Sequence, residues 1–202
     1  MIPGDPPKIE SKLWSRLNSN DTVYDVGANV GQSLRFAKIA KEIVCFEPLD
    51  IAIPELEKTI SDFGIKDKTK VAKYAVYDYD GELTLGLDNR REGWVGQLSK
   101  FYGDNIHNVS CITLDTAINL FPVPSFVKVD VEGSELEVIN GSQKLIKDFK
   151  PNWLIEIHKV NLGEKIHKIL SDNEYDLEIV RHPTYKKDSD TWRKHYYLLA
   201  NK

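Results

Sequence analysis

Residues 23–33 read VYDVGANVGQS. An apolar run that ends in Asp25 meets Gly27, Ala28, Asn29 and Gly31 within six positions. Residues that lack a large Cβ substituent, or that tolerate positive φ, are placed where backbone bends sharply or approaches a ligand closely. A strand that stops at such a turn and resumes as a helix aims backbone N–H groups at whatever sits beyond it, which suits a polar or anionic ligand. The spacing predicts a strand, a tight turn and a helix from Gly31, with a ligand against the turn. A branched side chain at position 27 is expected to fill the space beside that ligand.

Outward from this turn, strand-like and helical patterns alternate. DTVYDVG, EIVCFEP, KVAKYAVYD, SFVKVDVEG and PNWLIEIH read as strands, and YDLEIV and HYYLLAN as two more near the C-terminus. GQSLRFAKIA, PELEKTISDFG, TAINLF, SELEVINGSQKLIKDF and GEKIHKILSD read as helices. Asp80-Gly81 reads as a hairpin turn into ELTLGL, and VSCITLD as a further strand. Alternation of this kind predicts an α/β fold: an open, mostly parallel sheet with helices on both faces. Ligands of such sheets bind beyond the carboxyl ends of the strands. Asp25, Glu47, Asp78, Asp130 and His158 each close an apolar run, so all are expected at that rim. The chain is expected to be one domain over residues 1–202, with a helical lead-in at about 7–18 and an irregular insertion at about 88–108.

The 202 residues are 41% apolar and 29% charged, a globular composition, and the formal charge of −4 argues against general nucleic-acid binding. No apolar run approaches the ~20 residues of a bilayer span. The first ten residues, MIPGDPPKIE, lack the basic start and apolar centre of a signal peptide, so a cytoplasmic location is expected. Cys45 and Cys111 lie in apolar runs without metal or redox spacing and are expected to be buried, inert thiols. Nothing in the sequence sets an oligomeric state.

A dinucleotide site calls for G-x-G-x-x-G, whereas here Asn29 and Gln32 stand at the second and third glycine positions. Asp-x-Gly-x-Asn-x-Gly instead resembles the first motif of class I S-adenosylmethionine methyltransferases. Glu47, twenty residues after Gly27, is placed to accept hydrogen bonds from the ribose diol of an adenosine. VYDVGANVG, CFEP, ITLDTAI, VKVDVEGSELEVINGS and PNWLIEIH then follow in an order that resembles the FkbM-type methyltransferase family over about residues 20–160. The resemblance implies a class I fold, a single Rossmann-like domain whose seven-stranded sheet has an antiparallel seventh strand. It implies S-adenosylmethionine as cofactor, S-adenosylhomocysteine as product, and O-methylation of a small-molecule or sugar hydroxyl. The cofactor-binding candidates are Asp25, Gly27, Ala28, Asn29, Gly31, Glu47, Pro48, Ala75, Val76 and Asp130.

Period-2 geometry puts Lys128 and Asp130 on one face of their strand and Glu156 and His158 on one face of theirs. Adjacent strands would gather the four at one rim, either as a structural salt-bridge network or as a reactive cluster. An alcohol nucleophile must lose a proton, and imidazole has the pKa range for a base. Asp130 and His158 are therefore the catalytic candidates, with a purely structural His158 as the competing reading. Asp130, Glu132, Glu156 and His158 also offer ligands for a divalent ion, an alternative that stays open but is not favoured, because their spacing is not metal-specific. Ser134 is placed to cap the following helix, with Glu135 and Glu137 at its positive end. The 88–108 insertion, with Arg90, Arg91, Trp94, Phe101 and Tyr102, reads either as an acceptor lid or as an exposed loop. Two other functions fit this kind of sheet: an NAD-linked oxidoreductase, disfavoured by Gln32, and a non-catalytic nucleoside-binding module, disfavoured by the presence of Asp130 and His158. A nucleic-acid or protein methyltransferase is disfavoured by the acidic balance and by the absence of an Asn/Asp-Pro-Pro-Tyr motif after Asp130.

Overall fold

The computed structural model describes residues 14–87, 96–98, 106–181 and 195–202. The first strand, β1 (Thr22–Val26), lies near the middle of a seven-stranded sheet. Its residues from Val23 onward are buried on both faces, as a central parallel strand requires. To one side lie β2 (Glu42–Phe46) and β3 (Thr69–Ala72), both parallel to it. To the other lie β8 (Phe126–Val129) and β9 (Asn152–Ile157), again parallel. The chain thus runs outward from β1 in both directions, and the gap between β1 and β8 is the switch point where such sheets bind ligands. The last strand, β11 (Tyr196–Asn201), inserts antiparallel between β9 and β10 (Asp176–Arg181). This is the antiparallel seventh strand implied above.

Helices cover both faces. On one, α1 (Leu34–Ala37) and α2 (Ile53–Asp62) bury Leu34, Ala37, Leu56 and Ile60 with Trp14, Val23, Phe126 and Leu154. Trp14 stacks between Phe36 and Phe126. On the other, α3 (Leu114–Ala117), α4 (Glu135–Asn140) and α5 (Val160–Asp172) pack Leu114, Val138, Ile139, Ile166 and Leu170 on Tyr24, Phe46, Val127 and Trp153. Both cysteines are buried and unbridged.

Four expectations change. The run 71–78 is not one strand: after β3 the chain leaves the main sheet and re-forms as β4 (Ala75–Val76) in a second sheet. Asp80-Gly81 does not close a hairpin between neighbouring strands. β7 (Ile106–Ile112) lies between β4 and β5 (Gly81–Leu87), because Cys111 pairs with both Ala75 and Gly81. Asp80 instead accepts the backbone N–H of Thr113 and the hydroxyl of Thr116, each at 2.7 Å, which ties the start of α3 to the turn and holds its carboxyl below the usual range. The insertion at 88–108 is partly regular: β6 (Gly96–Leu98) pairs with β5, and residues 106–108 belong to β7. Arg90, Arg91, Trp94, Phe101 and Tyr102 lie outside the described residues, as do most of the lead-in helix and the polar loop after Arg181. From Trp14 the lead-in is a turn, with the Leu17 N–H donating to the Trp14 carbonyl at 3.0 Å.

Candidate functional site

The glycine turn is held by backbone geometry. The N–H groups of Gly27 and Ala28 both donate to the Phe46 carbonyl at 3.1 Å. Gly27 has φ +74°, and a Cβ there would stand 1.9 Å from the carbonyl oxygen of Asp130. The glycine is therefore required by close approach to the end of β8. The space a side chain would occupy is backbone, where the sequence suggested ligand. Gly31, at φ +83°, packs on Leu34, Leu56 and Thr59 and faces α2.

Glu47 follows β2 and is 5% exposed. One of its oxygens accepts the Asn29 N–H at 2.8 Å, the other the Leu49 N–H at 2.9 Å. Burial raises its pKa, with these two N–H groups working against the rise. Each oxygen keeps a further lone pair for a hydroxyl donor. The carboxylate borders a cleft with about 760 Å³ of space, its open mouth included. Gly27, Asn29, Glu47, Pro48, Ala75, Val76 and Asp130 all line it, with apolar walls from Phe46, Leu49, Leu83 and Leu85. A buried diol acceptor beside apolar walls fits the ribose and base of an adenosine.

A second cleft opens on the α1 side, walled by Trp14, Phe36, Tyr197, Arg35 and Glu156. Ala28 lines this one rather than the first. The two clefts share Gly27, Asn29, Asp130 and Glu132. Asp25 and Gly31 line neither. Asp25 lies inside β1 rather than after it, fully buried, and accepts the Ser33 hydroxyl.

Asp25 is 3.1 Å from the Lys128 ammonium, which also stands 3.6 Å from Asp130 and donates to the Gly27 carbonyl at 3.0 Å. Burial opposes the charge on Lys128, but Asp25 and Asp130, with Glu156 farther off, outweigh it and hold the ammonium above the ordinary lysine range. This lysine ties the ends of β1 and β8 together, a structural role in line with the salt-bridge reading.

Register brings β8 and β9 side by side, and their ends do gather the predicted polar residues. The Nε2 of His158 is 3.8 Å from Asp130, 3.6 Å from Glu132 and 3.9 Å from Glu156. Its Nδ1 is 2.8 Å from Glu135. Burial would lower the imidazole pKa, but the bond to Glu135 and the surrounding carboxylates override it and push it up to about 9. Burial and the nearby Asp130 raise the carboxyl of Glu156, only partly offset by His158 and Lys128. Asp130, Glu132 and His158 each bring one ligand atom to within 4.8 Å of the others, a set able to meet a divalent cation. Ser134 makes no capping bond to α4. Glu135, fully buried, instead accepts the Gly133 N–H at 2.7 Å and holds His158, a role its helix-end position did not announce.

A family model, the methyltransferase FkbM domain, matches residues 25–177, and the chain belongs to that family. A curated relative, the hexuronic acid methyltransferase AglP of Haloferax volcanii, is 25% identical over 170 residues, covering 84% of this chain and 69% of that one. The crystal structure of an FkbM methyltransferase from Methylobacillus flagellatus KT superposes with a TM-score of 0.65 at 20% identity, over 91% of this chain. This chain spans 44% of that protein's length. A precorrin-6y C5,15-methyltransferase from Geobacter metallireducens GS-15 gives a TM-score of 0.59 at 14% identity, over 96% of this chain and 88% of its own. These two structures share the fold.

Proposed function

With membership of the FkbM methyltransferase family as premise, we propose that this chain is an S-adenosylmethionine-dependent methyltransferase acting on a hydroxyl of a sugar or other small molecule. The observation that carries the reading is the meeting of two clefts at Gly27, Asn29, Asp130 and Glu132, one lined by buried Glu47 and the other by Glu132 and Glu156, carboxylates that stand 3.6 and 3.9 Å from His158. In this reading Glu47 accepts the ribose hydroxyls and the β4 walls hold the base. Asp130, at the junction, faces the cationic methyl-bearing end. When bound, the cofactor supplies a methyl on positive sulfur; transfer forms a C–O bond as the S–C bond breaks, its electron pair returning to sulfur. The residues around the junction align the acceptor, and His158 takes the proton that the hydroxyl releases. With a pKa of about 9, His158 reaches its neutral, proton-accepting form only as pH rises towards that value.

The hydroxyl acceptor is supported by the curated relative, which is named for methylation of a hexuronic acid. The second cleft offers this class of molecule the half-buried ring of Tyr197 and the guanidinium of Arg35, beside the packed rings of Trp14 and Phe36. Such groups pack on a pyranose ring and pair with a carboxylate.

Calorimetry with S-adenosylmethionine, S-adenosylhomocysteine and NAD tests the cofactor. Micromolar binding of both sulfur compounds and none of NAD is expected; the reverse pattern removes the proposal. Labelled-methyl transfer to a panel of neutral and acidic sugars tests the acceptor, and repeating it with a chelator tests whether Asp130, Glu132 and His158 use a divalent ion.

A further inference from the structure

We propose that Glu135 is the positioning residue of the site, holding the Nδ1 proton of His158 so that Nε2 faces the junction of the two clefts. The inference rests on the proposed function only in assigning Nε2 a substrate proton; the tether itself belongs to the free protein.

Four observations carry it. Glu135 opens α4 and is fully buried, where a carboxylate is costly to keep without a donor. Its Oε1 lies 2.8 Å from His158 Nδ1 and also accepts the Gly133 N–H at 2.7 Å, so the oxygen is fixed from the backbone side as well. The loop that delivers it is unusual: Glu132 has φ +53° and Gly133 φ +106°, which bends the chain between β8 and α4 so that Glu135 turns back under His158. Finally, the other ring nitrogen is left facing Asp130, Glu132 and Glu156, all three of which line the second cleft.

A carboxylate at Nδ1 selects one neutral tautomer, with the proton on Nδ1 and the acceptor lone pair on Nε2. It also stabilises the imidazolium that forms when Nε2 gains a proton. In transfer, the acceptor O–H proton moves to Nε2 while the oxygen forms its bond to the methyl carbon. The ring becomes cationic, with its Nδ1–H held on Glu135. The charged groups around the ring are Asp130 and Glu132 after β8, Glu135 on α4 and Glu156 on β9. Lys128 lies behind Asp130, Lys159 is packed near Gly133, and the His195 ring sits 5.4 Å away. Of these, Glu135 is the one bonded to Nδ1.

The experiment is nitrogen-15 NMR of the histidine ring in the full chain, free of cofactor, titrated from pH 5 to 11. In the unsubstituted protein the neutral His158 is expected as the Nδ1–H tautomer. An Nε2–H tautomer overturns the proposal without the need for any variant. Glu135→Gln keeps an acceptor for the Gly133 N–H but removes the charge. It is expected to lower the His158 titration midpoint by a unit or more. Once an acceptor is found, it should also lower kcat by about 10–100-fold, with KM for the cofactor unchanged. An unmoved midpoint in a folded Glu135→Gln protein overturns the proposal. If calorimetry shows no cofactor binding, the functional reading fails, while the tautomer and midpoint still decide Glu135.

Discussion

The glycine turn and the His158 cluster sit at neighbouring strand ends, yet they satisfy buried carboxylates in opposite ways. Glu47 rests on two backbone N–H groups, one from Asn29 in the glycine turn and one from Leu49 two residues on. Glu135 and Asp25 rest chiefly on side chains from other strands, His158 and Lys128, with the Gly133 N–H added at Glu135. Backbone donors are fixed by the fold and do not titrate. Side-chain donors titrate, and they couple to each other. The turn is therefore a rigid platform, whereas the cluster is responsive to pH and to each of its members.

The harshest way to break this contrast is at the turn. Gly27→Val puts a Cβ in the position where the Asp130 carbonyl stands and forces a branched residue to φ +74°. It is expected to cost about 4 kcal/mol or more, loss of the fold for many domains of this size. Denaturant unfolding or soluble yield measures it. A stable, folded variant would mean that the turn yields and is no rigid platform.

The cluster is tested next by His158→Ala. Its expected effect is a fall in kcat of about 10²–10⁴-fold with cofactor affinity nearly kept. In the unsubstituted enzyme the rate should climb with pH up to about 9, because only neutral imidazole accepts a proton. A flat profile with unchanged turnover would leave His158 structural.

The same residue links stability to pH. Its folded pKa of about 9 lies above the ordinary 6.5, so the folded state binds the proton more tightly. The resulting stability is complete below pH 6.5 and is lost as pH rises through 9. Its size is on the order of 3 kcal/mol. Urea unfolding at pH 6 and pH 10 should show this loss, and His158→Ala should abolish most of the slope. If the slope persists in the variant, other groups set it.

Glu47→Ala should weaken S-adenosylhomocysteine binding by about 1–3 kcal/mol through the loss of a charge-assisted diol contact. Because backbone N–H groups, not titrating partners, hold Glu47, the weakening should be nearly the same at pH 6 and pH 9. A strong pH dependence would place Glu47 in the responsive cluster. The smallest effect is expected at Ser134→Ala, within about 0.5 kcal/mol, since Ser134 makes no cap bond. Thr113→Ala, which removes an acceptor for the Thr116 N–H, should cost about 1 kcal/mol by the same thermal or denaturant measurement.

What the sequence determined alone is whatever period and spacing encode within one segment. β1, β2, β8 and β9 are apolar runs ended by a polar residue, and the glycine turn and Glu47 stand a fixed distance apart. These local signals were enough for the α/β class, the parallel sheet and the cleft that borders the glycine turn. The second sheet was decided by tertiary structure, because the choice of β7 as the neighbour of both β4 and β5 is a long-range pairing that no local turn signal carries. Likewise, a helix-end Glu135 and a strand-end His158 carry no mark of each other across 23 residues. Only the bend at Glu132–Gly133 and the register of β8 on β9 close the 2.8 Å between them, and with it the environment that sets the charge of the imidazole.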